Sequence, residues 1–132
     1  MRQFEVNTQR RICTVDITHQ VRQAVRDIGL ESGAVLVYVP HTTAAVTINE
    51  GADPAVQEDI LAKLTELVPH GAKYNHLEGN ADAHIKSTLV GVSIVIPVEA
   101  GNLHLGTWQK VFFCDFDGPR TRKVFVVALP GK

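Results

Sequence analysis

Hydrophobic residues recur along the chain with two different spacings, one typical of helices and the other typical of strands. A helix is predicted to begin at Thr18 and to end at Gly29, because apolar residues recur there with the 3.6-residue period of a helix. This stripe consists of Val21, Ala24, Val25 and Ile28. A second helix is predicted to begin after Asp53, an N-cap residue, with Pro54 at the first helical position, where no amide hydrogen is needed. Its apolar face, up to Val68, consists of Val56, Ile60, Leu61, Leu64 and Leu67.

A third and shorter helix is predicted to run from a cap at Asp82 to Gly91. Strands are predicted where apolar and β-branched residues cluster or alternate. Residues 2–16 are predicted to form one or two strands broken at Asn7, and the later strands are residues 34–39, 44–48, 92–98, 107–116 and 124–129. Strands interrupted by two or three helices indicate an α+β fold: a single domain, residues 1–132, of mainly antiparallel, β-sandwich-like sheets.

Composition and charge narrow the class of protein. Thirteen Lys and Arg residues oppose fourteen Asp and Glu residues, a balance that argues against a surface for nucleic acid or anionic membrane. The N-terminus has no apolar signal segment, and no apolar run approaches the ~20 residues of a membrane span. Cys13 and Cys114 have no Cys-x-x-Cys spacing and lie in apolar runs, so buried, inert thiols are expected. We therefore expect a cytoplasmic protein with neither a nucleic-acid nor a membrane partner.

The loop of residues 75–84 concentrates side chains that bind metals and move protons. It contains His76, Glu78, Asp82 and His84. The seven residues between the two histidines are not a recognised zinc spacing, so a solvated loop that only caps and turns is the competing interpretation. If Asp82 caps a helix, the helix dipole at the first turn disfavours the charged form of His84. A neutral imidazole is the form that binds metal or accepts a proton.

A second group of polar residues lies on either side of the predicted strand 44–48. His41, Thr42 and Thr43 precede it, and Asn49 and Glu50 follow it. In an enzyme such residues provide a base or metal ligand and hydrogen-bond donors for phosphate. The competing interpretation is a strand-end histidine bonded to the backbone, with threonines present for their β propensity.

The last third of the chain adds an aromatic residue and a pair of cations. Trp108 lies in a predicted strand and is expected in the core rather than against a ligand. Gln109 is then expected on the opposite face of the strand, where it can contact a ligand. Arg120 and Arg122, two apart on a strand, are expected either to clamp an anion from one face or to form an ordinary charged face. His19 and His70 are expected on the surface.

Several of these segments together resemble one known family. They are His41-Thr42-Thr43-Ala44 with Thr47-Ile48-Asn49-Glu50, then Ala83-His84-Ile85-Lys86, then residues 93–97, and Leu105-Gly106-Thr107-Trp108-Gln109. In this order they resemble the YjbQ-type family, also called the secondary thiamine-phosphate synthase family, over nearly the whole chain. The Gly-Thr-Trp-Gln block, with Ser93 and Gly101 upstream, is the most specific part. The chain departs from the family where many members carry Glu, since it has Asp115 and then Asp117.

The resemblance implies a compact, β-sandwich-like α+β fold that assembles as a homotrimer. It also implies a weak thiamine-phosphate synthase activity, a transferase reaction that joins hydroxymethylpyrimidine diphosphate to a thiazole phosphate and releases pyrophosphate. A metal or anion is implied in a cleft formed by His41 and His84, with His76 as the next candidate. The implied ion is divalent, zinc or magnesium.

Two hypotheses of function follow. In the first, His41, His76 and His84 hold the ion or transfer protons, while other side chains bind the phosphorylated small molecule. These ligand-binding candidates are Thr42, Thr43, Asn49, Glu50, Gln109 and Arg120. In the second, the protein is a non-catalytic module that binds such a molecule without turning it over. A trimer is also favoured by the strand at residues 92–98, which lacks charges on either face.

Overall fold

The structure, a computed structural model, describes residues 1–131. These residues form three helices and eight strands. The helices are α1 (Thr18–Ile28), α2 (Pro54–Leu67) and α3 (Ala81–Val90). The strands are β1 (Arg2–Asn7), β2 (Cys13–Asp16), β3 (Ser32–Tyr38), β4 (Ala44–Glu50), β5 (Ser93–Glu99), β6 (Asn102–Leu103), β7 (Gln109–Asp115) and β8 (Thr121–Pro130).

The strands form two antiparallel sheets, which confirms the predicted single α+β domain. One sheet has the order β1-β8-β3-β5-β6 and the other has the order β2-β7-β4. Alternate residues of both sheets point inward and are fully buried, as Val37, Phe113 and Val126 are. They pack with the apolar stripe of α1 into one core.

Helix α1 forms where the 3.6-residue period predicted it. The Asp16 carboxylate accepts hydrogen bonds from the amide and the hydroxyl of Thr18, at 2.9 and 2.6 Å, and so caps the first turn. Val21 and Val25 are almost completely buried. Gly29 ends the helix with φ 78°, a left-handed conformation that glycine adopts without strain.

Helix α2 confirms the predicted cap but not the predicted buried face. The Asp53 carboxylate accepts a hydrogen bond from the amide of Ala55 at 3.0 Å. Leu61 and Leu64 are only partly buried, against a small cluster around Phe116. Leu67 is 63% exposed. The prediction of a continuous core-facing stripe was wrong because α2 lies at the edge of the domain, where only part of its face meets the sheet.

Two further expectations are corrected by the structure. Asp82 does not cap α3: Asn80 occupies the cap position, and the Asp82 side chain is buried in ion pairs with Lys86 and Arg11. Trp108 is not in the core, since β7 begins one residue later and the indole is 65% exposed. The turn before β7 holds Trp108 away from both sheets.

The outer face of the five-stranded sheet is apolar at its centre. By strand register the centre presents Ala34, Leu36, Tyr38, Val95, Pro97, Phe125, Val127 and Leu129. The margins of the same face carry Glu5, Lys123, Ser93 and Glu99. The rings of Tyr38 and Phe125 stack with centroids 6.4 Å apart, and Val95 is 57% exposed. Among residues 1–131, no helix is both long and apolar enough to cross a bilayer.

Candidate functional site

His41 lies in the connection between β3 and β4, and its ring is fixed by one backbone hydrogen bond. The amide of Lys123 in β8 donates to His41 Nε2 at 2.9 Å. This amide lies beyond the end of the β3–β8 ladder, which stops at the Tyr38–Phe125 pair. Because Nε2 accepts, a neutral His41 carries its hydrogen on Nδ1. His41 therefore presents a donor to its surroundings.

The charges around His41 favour this neutral form. Burial lowers the pKa of His41 below its ordinary value, and the positive charge of Arg122 lowers it further. Arg120 acts in the same direction, whereas the Asp115 carboxylate opposes it. At neutral pH the imidazole is therefore an uncharged hydrogen-bond donor in a locally positive setting.

Behind His41, a buried ion pair joins β7 to β8. Arg122 donates to both Asp115 oxygens, from Nη2 at 2.7 Å and from Nε at 3.1 Å. Burial alone raises the pKa of Asp115, but hydrogen bonds from Arg122, the Asp117 amide and the Thr8 hydroxyl outweigh it and hold that pKa below its ordinary value. Arg122 also donates to the Thr43 hydroxyl at 2.8 Å.

This network corrects two site predictions. Arg120 and Arg122 do not share an exposed face, because Arg122 points into the core and Arg120 bonds to Asp117 in the preceding turn. The predicted anion clamp does not form from this pair. Thr43 is buried, and its hydroxyl already accepts from Arg122, so it supports the loop instead of facing a ligand.

Helix α3 places His84 in the lining of the same cleft as His41. The Ser87 hydroxyl donates to the Ala44 carbonyl at 2.6 Å, and the Val46 amide donates to the Gly91 carbonyl at 3.0 Å, so α3 is held beside the start of β4. A cleft of about 520 Å³ results, lined by His41, Thr42, His84, Ser87, Thr88, Gly91 and Val92. The resemblance implied a cleft shared by His41 and His84, and both residues line this one.

His76, in the loop before α3, lies beside His84 but does not line the cleft. Its ring meets the ring of His84 edge to face, with centroids 5.2 Å apart. His76 Nε2 also lies 3.6 Å from a Glu78 carboxylate oxygen at the exposed surface. His84 is thus the residue that joins the main cleft to a neighbouring hollow lined by Tyr74, Asn75, His76, Ala81, His84 and Ile85.

The other ligand-binding candidates lie at the far end of β4. Glu50 pairs with Gln109 across the β4–β7 ladder. Six residue steps separate Glu50 from Ala44, a distance of ~20 Å along a strand. Asn49 accepts from the Glu50 amide at 2.7 Å, and Gln109 accepts from the Gly106 amide at 2.8 Å. In one chain these three residues cannot contact a small ligand in the His41–His84 cleft.

The sequence reasoning missed most of the buried polar network. Lys86 is fully buried and donates to Asp82 at 3.0 Å, while Arg11 donates to both Asp82 oxygens at 3.1 and 3.2 Å. These bonds hold the pKa of Asp82 below its ordinary value, although burial opposes them. The i, i+4 spacing of Asp82 and Lys86 in a predicted helix was a usable signal. Nothing in the sequence marked Arg11 or Thr8.

The predicted metal site does not fit the residues of one chain. Among residues 1–131, no group of three or more His, Cys, Asp or Glu side chains is placed to hold an ion. His41 could bind an ion only through Nδ1, which would move its hydrogen to Nε2 and against the Lys123 amide. His76 and His84 alone supply fewer donors than structural or catalytic zinc takes from proteins.

Comparisons with known proteins agree on one family. The model of the "UPF0047 protein YjbQ-like" family matches residues 2–131. A UPF0047 protein of Archaeoglobus fulgidus is 51% identical, covering 96% of this chain and 99% of its own. YugU of Bacillus subtilis is 46% identical, with 96% of each chain covered.

Solved structures agree as well. A YjbQ/UPF0047 protein of Clostridium acetobutylicum has a TM-score of 0.94 at 47% identity, covering 96% of this chain and 98% of its own. The protein APE1520 of Aeropyrum pernix has a TM-score of 0.94 at 43% identity, with 98% of each chain covered. These likenesses establish the fold, and the chemistry has to be argued from the site.

Proposed function

The chain belongs to the YjbQ-like UPF0047 family, and from that premise we propose that the His41–His84 cleft binds and turns over a phosphorylated small molecule. The observation that carries the proposal is that two imidazoles, from separate elements, line one cleft that also contains hydroxyl groups. Its volume of about 520 Å³ suits a small organic phosphate, since ligand sites commonly measure ~300–1,000 Å³.

The proposed roles follow from the geometry of each side chain. His41, fixed as an Nδ1–H donor, binds a phosphate oxygen, and the hydroxyl of Thr42 adds a second donor. The Thr88 hydroxyl already donates to the His84 carbonyl at 3.0 Å, so it can only accept from a ligand. The attacking thiazole nitrogen carries no proton to remove, so His84 acts on the other product: it donates a proton to the pyrophosphate that leaves as the new C–N bond forms.

The reaction that we propose is the thiamine-phosphate synthase transfer. It joins hydroxymethylpyrimidine diphosphate to a thiazole phosphate and releases pyrophosphate. Donors aimed at the diphosphate stabilise the negative charge that grows on the leaving group. The resemblance of the His-Thr-Thr, Ala-His-Ile and Gly-Thr-Trp-Gln segments supports this choice of substrates.

Release of pyrophosphate from the two substrates tests this proposal. We expect His84→Ala to lower kcat by at least ~100-fold, as loss of a general acid–base does. We expect His41→Ala to act mainly on KM, because it removes a binding donor. His19→Ala, at an exposed histidine of α1, is the matched control and should match the wild type. No pyrophosphate release above the protein-free rate by the wild type would refute the proposed reaction.

One observation favours a second candidate function, a binding module without turnover. His41 Nε2 is already engaged by the Lys123 amide, so His41 serves as a donor and not as a base. A module of this kind would bind pyrophosphate or thiazole phosphate in calorimetry and would lose that binding in His41→Ala. Rescue of a thiamine auxotroph by the wild type, but not by His84→Ala, would rule it out.

A zinc or magnesium ion is a separate part of the proposal. Of the three predicted metal ligands, His76 and His84 lie together in one chain and His41 does not join them. The ion would therefore need donors from outside the described residues of that chain. Metal analysis of purified wild type against His84→Ala tests it. Bound metal in the wild type and its loss in the variant are expected, and near-zero metal in both would remove the ion from the proposal.

We also propose that the chain assembles as a homotrimer through the apolar outer face of the five-stranded sheet. Val95 and Leu129 are 57% and 43% exposed on that face, beside the stacked rings of Tyr38 and Phe125. A continuous exposed apolar surface is unusual for a monomer. Sedimentation should show three chains for the wild type and one for Val95→Asp. A monomeric wild type would refute the trimer.

A further inference from the structure

A second cavity, of about 470 Å³, lies between β2, the end of β4 and the first turns of α2. It shares no lining residue with the His41–His84 cleft. Its apolar wall is formed by Ile12, Val15, Leu61 and Phe112. The proposed phosphate chemistry makes no use of this cavity.

Two acceptor atoms in the lining residues have no hydrogen-bond partner among the described residues. They are Glu50 Oε2 and Gln57 Oε1, and both atoms are buried. The whole Gln57 residue is only 9% exposed. Its Nε2 donates to the Glu50 backbone carbonyl at 3.4 Å. If the Gln57 amide were flipped, its Oε1 would face that carbonyl oxygen, and two acceptors would be in contact. The free atom of Gln57 is therefore an acceptor.

Both atoms are closed to solvent in this conformation, so the Glu50 and Gln57 side chains must turn toward the cavity for a donor to reach them. Buried acceptors without a partner are costly, so a donor that they reach gains binding energy from both. The charge of the lining points to the same ligand. Four carboxylates, Asp16, Glu50, Asp53 and Glu58, face one cation, Arg10. Asp16 and Asp53 already accept hydrogen bonds from amides in the first turns of α1 and α2. Glu50 is the half-buried carboxylate whose buried oxygen has no partner among the described residues.

We propose that this cavity binds an organic cation, an ammonium or amidinium group with an apolar or aromatic body. The cationic head donates to Glu50 and Gln57, and the body packs on Ile12, Leu61 and Phe112. An anion is disfavoured, because Arg10 alone opposes the carboxylates. The Cys13 thiol lies in the same wall, and burial raises its pKa, so it adds apolar contact and not a charge.

Calorimetric titration of the intact protein with benzylamine tests the proposal, with benzyl alcohol and benzoate as neutral and anionic probes of the same body. We expect benzylamine to bind at least about tenfold more tightly than either, since hydrogen bonds to charged groups contribute this much. Benzoate binding as tightly as benzylamine, or no benzylamine binding up to millimolar concentration, would overturn the proposal.

Two variants identify the residues. Glu50→Gln and Gln57→Leu should each weaken benzylamine binding at least about tenfold, whereas Glu58→Gln, in the same wall but exposed, should stay within threefold. Circular dichroism checks that each variant is folded. If Glu50→Gln does not fold, Gln57→Leu alone tests the site. Unchanged affinity in the folded variants would contradict the site. Binding seen only in the Val95→Asp background would also overturn it, because a neighbouring copy would then fill the cavity.

The outcome is independent of the proposed function. Benzylamine affinity should be the same in wild type and in His41→Ala, because His41 lines only the other cleft. Loss of benzylamine binding in His41→Ala would contradict a separate cation site.

Discussion

The buried pair of Asp115 and Arg122 allows a quantitative prediction about stability. Their side chains are 0% and 3% exposed. Replacement in Arg122→Met removes both N–H bonds to Asp115 and leaves its carboxylate with the Thr8 hydroxyl and the Asp117 amide. Breaking a buried ion pair at one partner commonly costs about 3–5 kcal/mol, because an uncompensated charge stays buried. We expect Arg122→Met to lower the free energy of unfolding by that amount.

Urea unfolding followed by far-UV circular dichroism, at one fixed chain concentration, measures this change. Arg26→Met, at an exposed arginine in the last turn of α1, is the control and should change stability by no more than about 0.5 kcal/mol. The double variant Asp115→Leu with Arg122→Met should recover only part of the loss, since Thr8 and Thr43 lose their partners. A loss below about 1 kcal/mol in Arg122→Met would refute the reasoning.

The pH dependence of the free energy of unfolding gives a second test of the Asp115–Arg122 pair. The pKa of Asp115 is held below its ordinary value in the folded chain. Its contribution to stability is therefore complete above the unfolded-state pKa, ~3.9, and is lost as the pH falls through the folded-state value. In Arg122→Met, Asp115 stays buried but loses Arg122, its main hydrogen-bond donor. The loss should therefore begin at higher pH than in the wild type.

Three further predictions concern single positions. The pKa of His41 is lowered by burial and by Arg122, so its NMR titration should have a midpoint below 6.5. The stability that this group contributes should be complete above pH 6.5 and should be lost as the pH falls through the folded-state pKa. A midpoint above 6.5 would contradict the burial of His41 beside Arg122. Asp53→Ala should cost about 1 kcal/mol in urea unfolding, because it removes the cap on Ala55; no change would mean that the cap contributes nothing. Gly118→Ala should destabilise more, by about 1–3 kcal/mol, since its Cβ would overlap the Arg10 carbonyl oxygen. The comparison is Gly106→Ala, whose Cβ would meet only the end of the Gln109 side chain, at 3.3 Å.

The fold could be predicted from the sequence where local signals agreed with burial. The stripe of α1 and the β-branched residues of β3 and β5 predicted elements that the structure contains, because each buries one regular face. Helix α2 shows the limit of this reasoning. Its cap is local and was predicted correctly, but how much of its face meets the sheet depends on tertiary placement, which the period does not encode.

The candidate site was predictable only in part for the same reason. The resemblance placed His41 and His84 in one cleft, and the structure lines one cleft with both. Asn49 was grouped with His41 because it follows the same strand, and Gln109 because it alternates with Trp108, but the length of β4 separates them from the cleft within one chain. Arg122 looked like an exposed cation from its spacing, and its burial depends on Asp115 in another strand.

Histidine NMR of the wild-type protein tests the central claim most directly. In protein labelled with ¹⁵N in its histidine rings, added pyrophosphate should shift the ring signals of His41 and His84 with one shared Kd, while exposed His19 and His104 stay unchanged. Signals of His41 and His84 that do not move, or that move no more than those of His19 and His104, would contradict a phosphate site in this cleft.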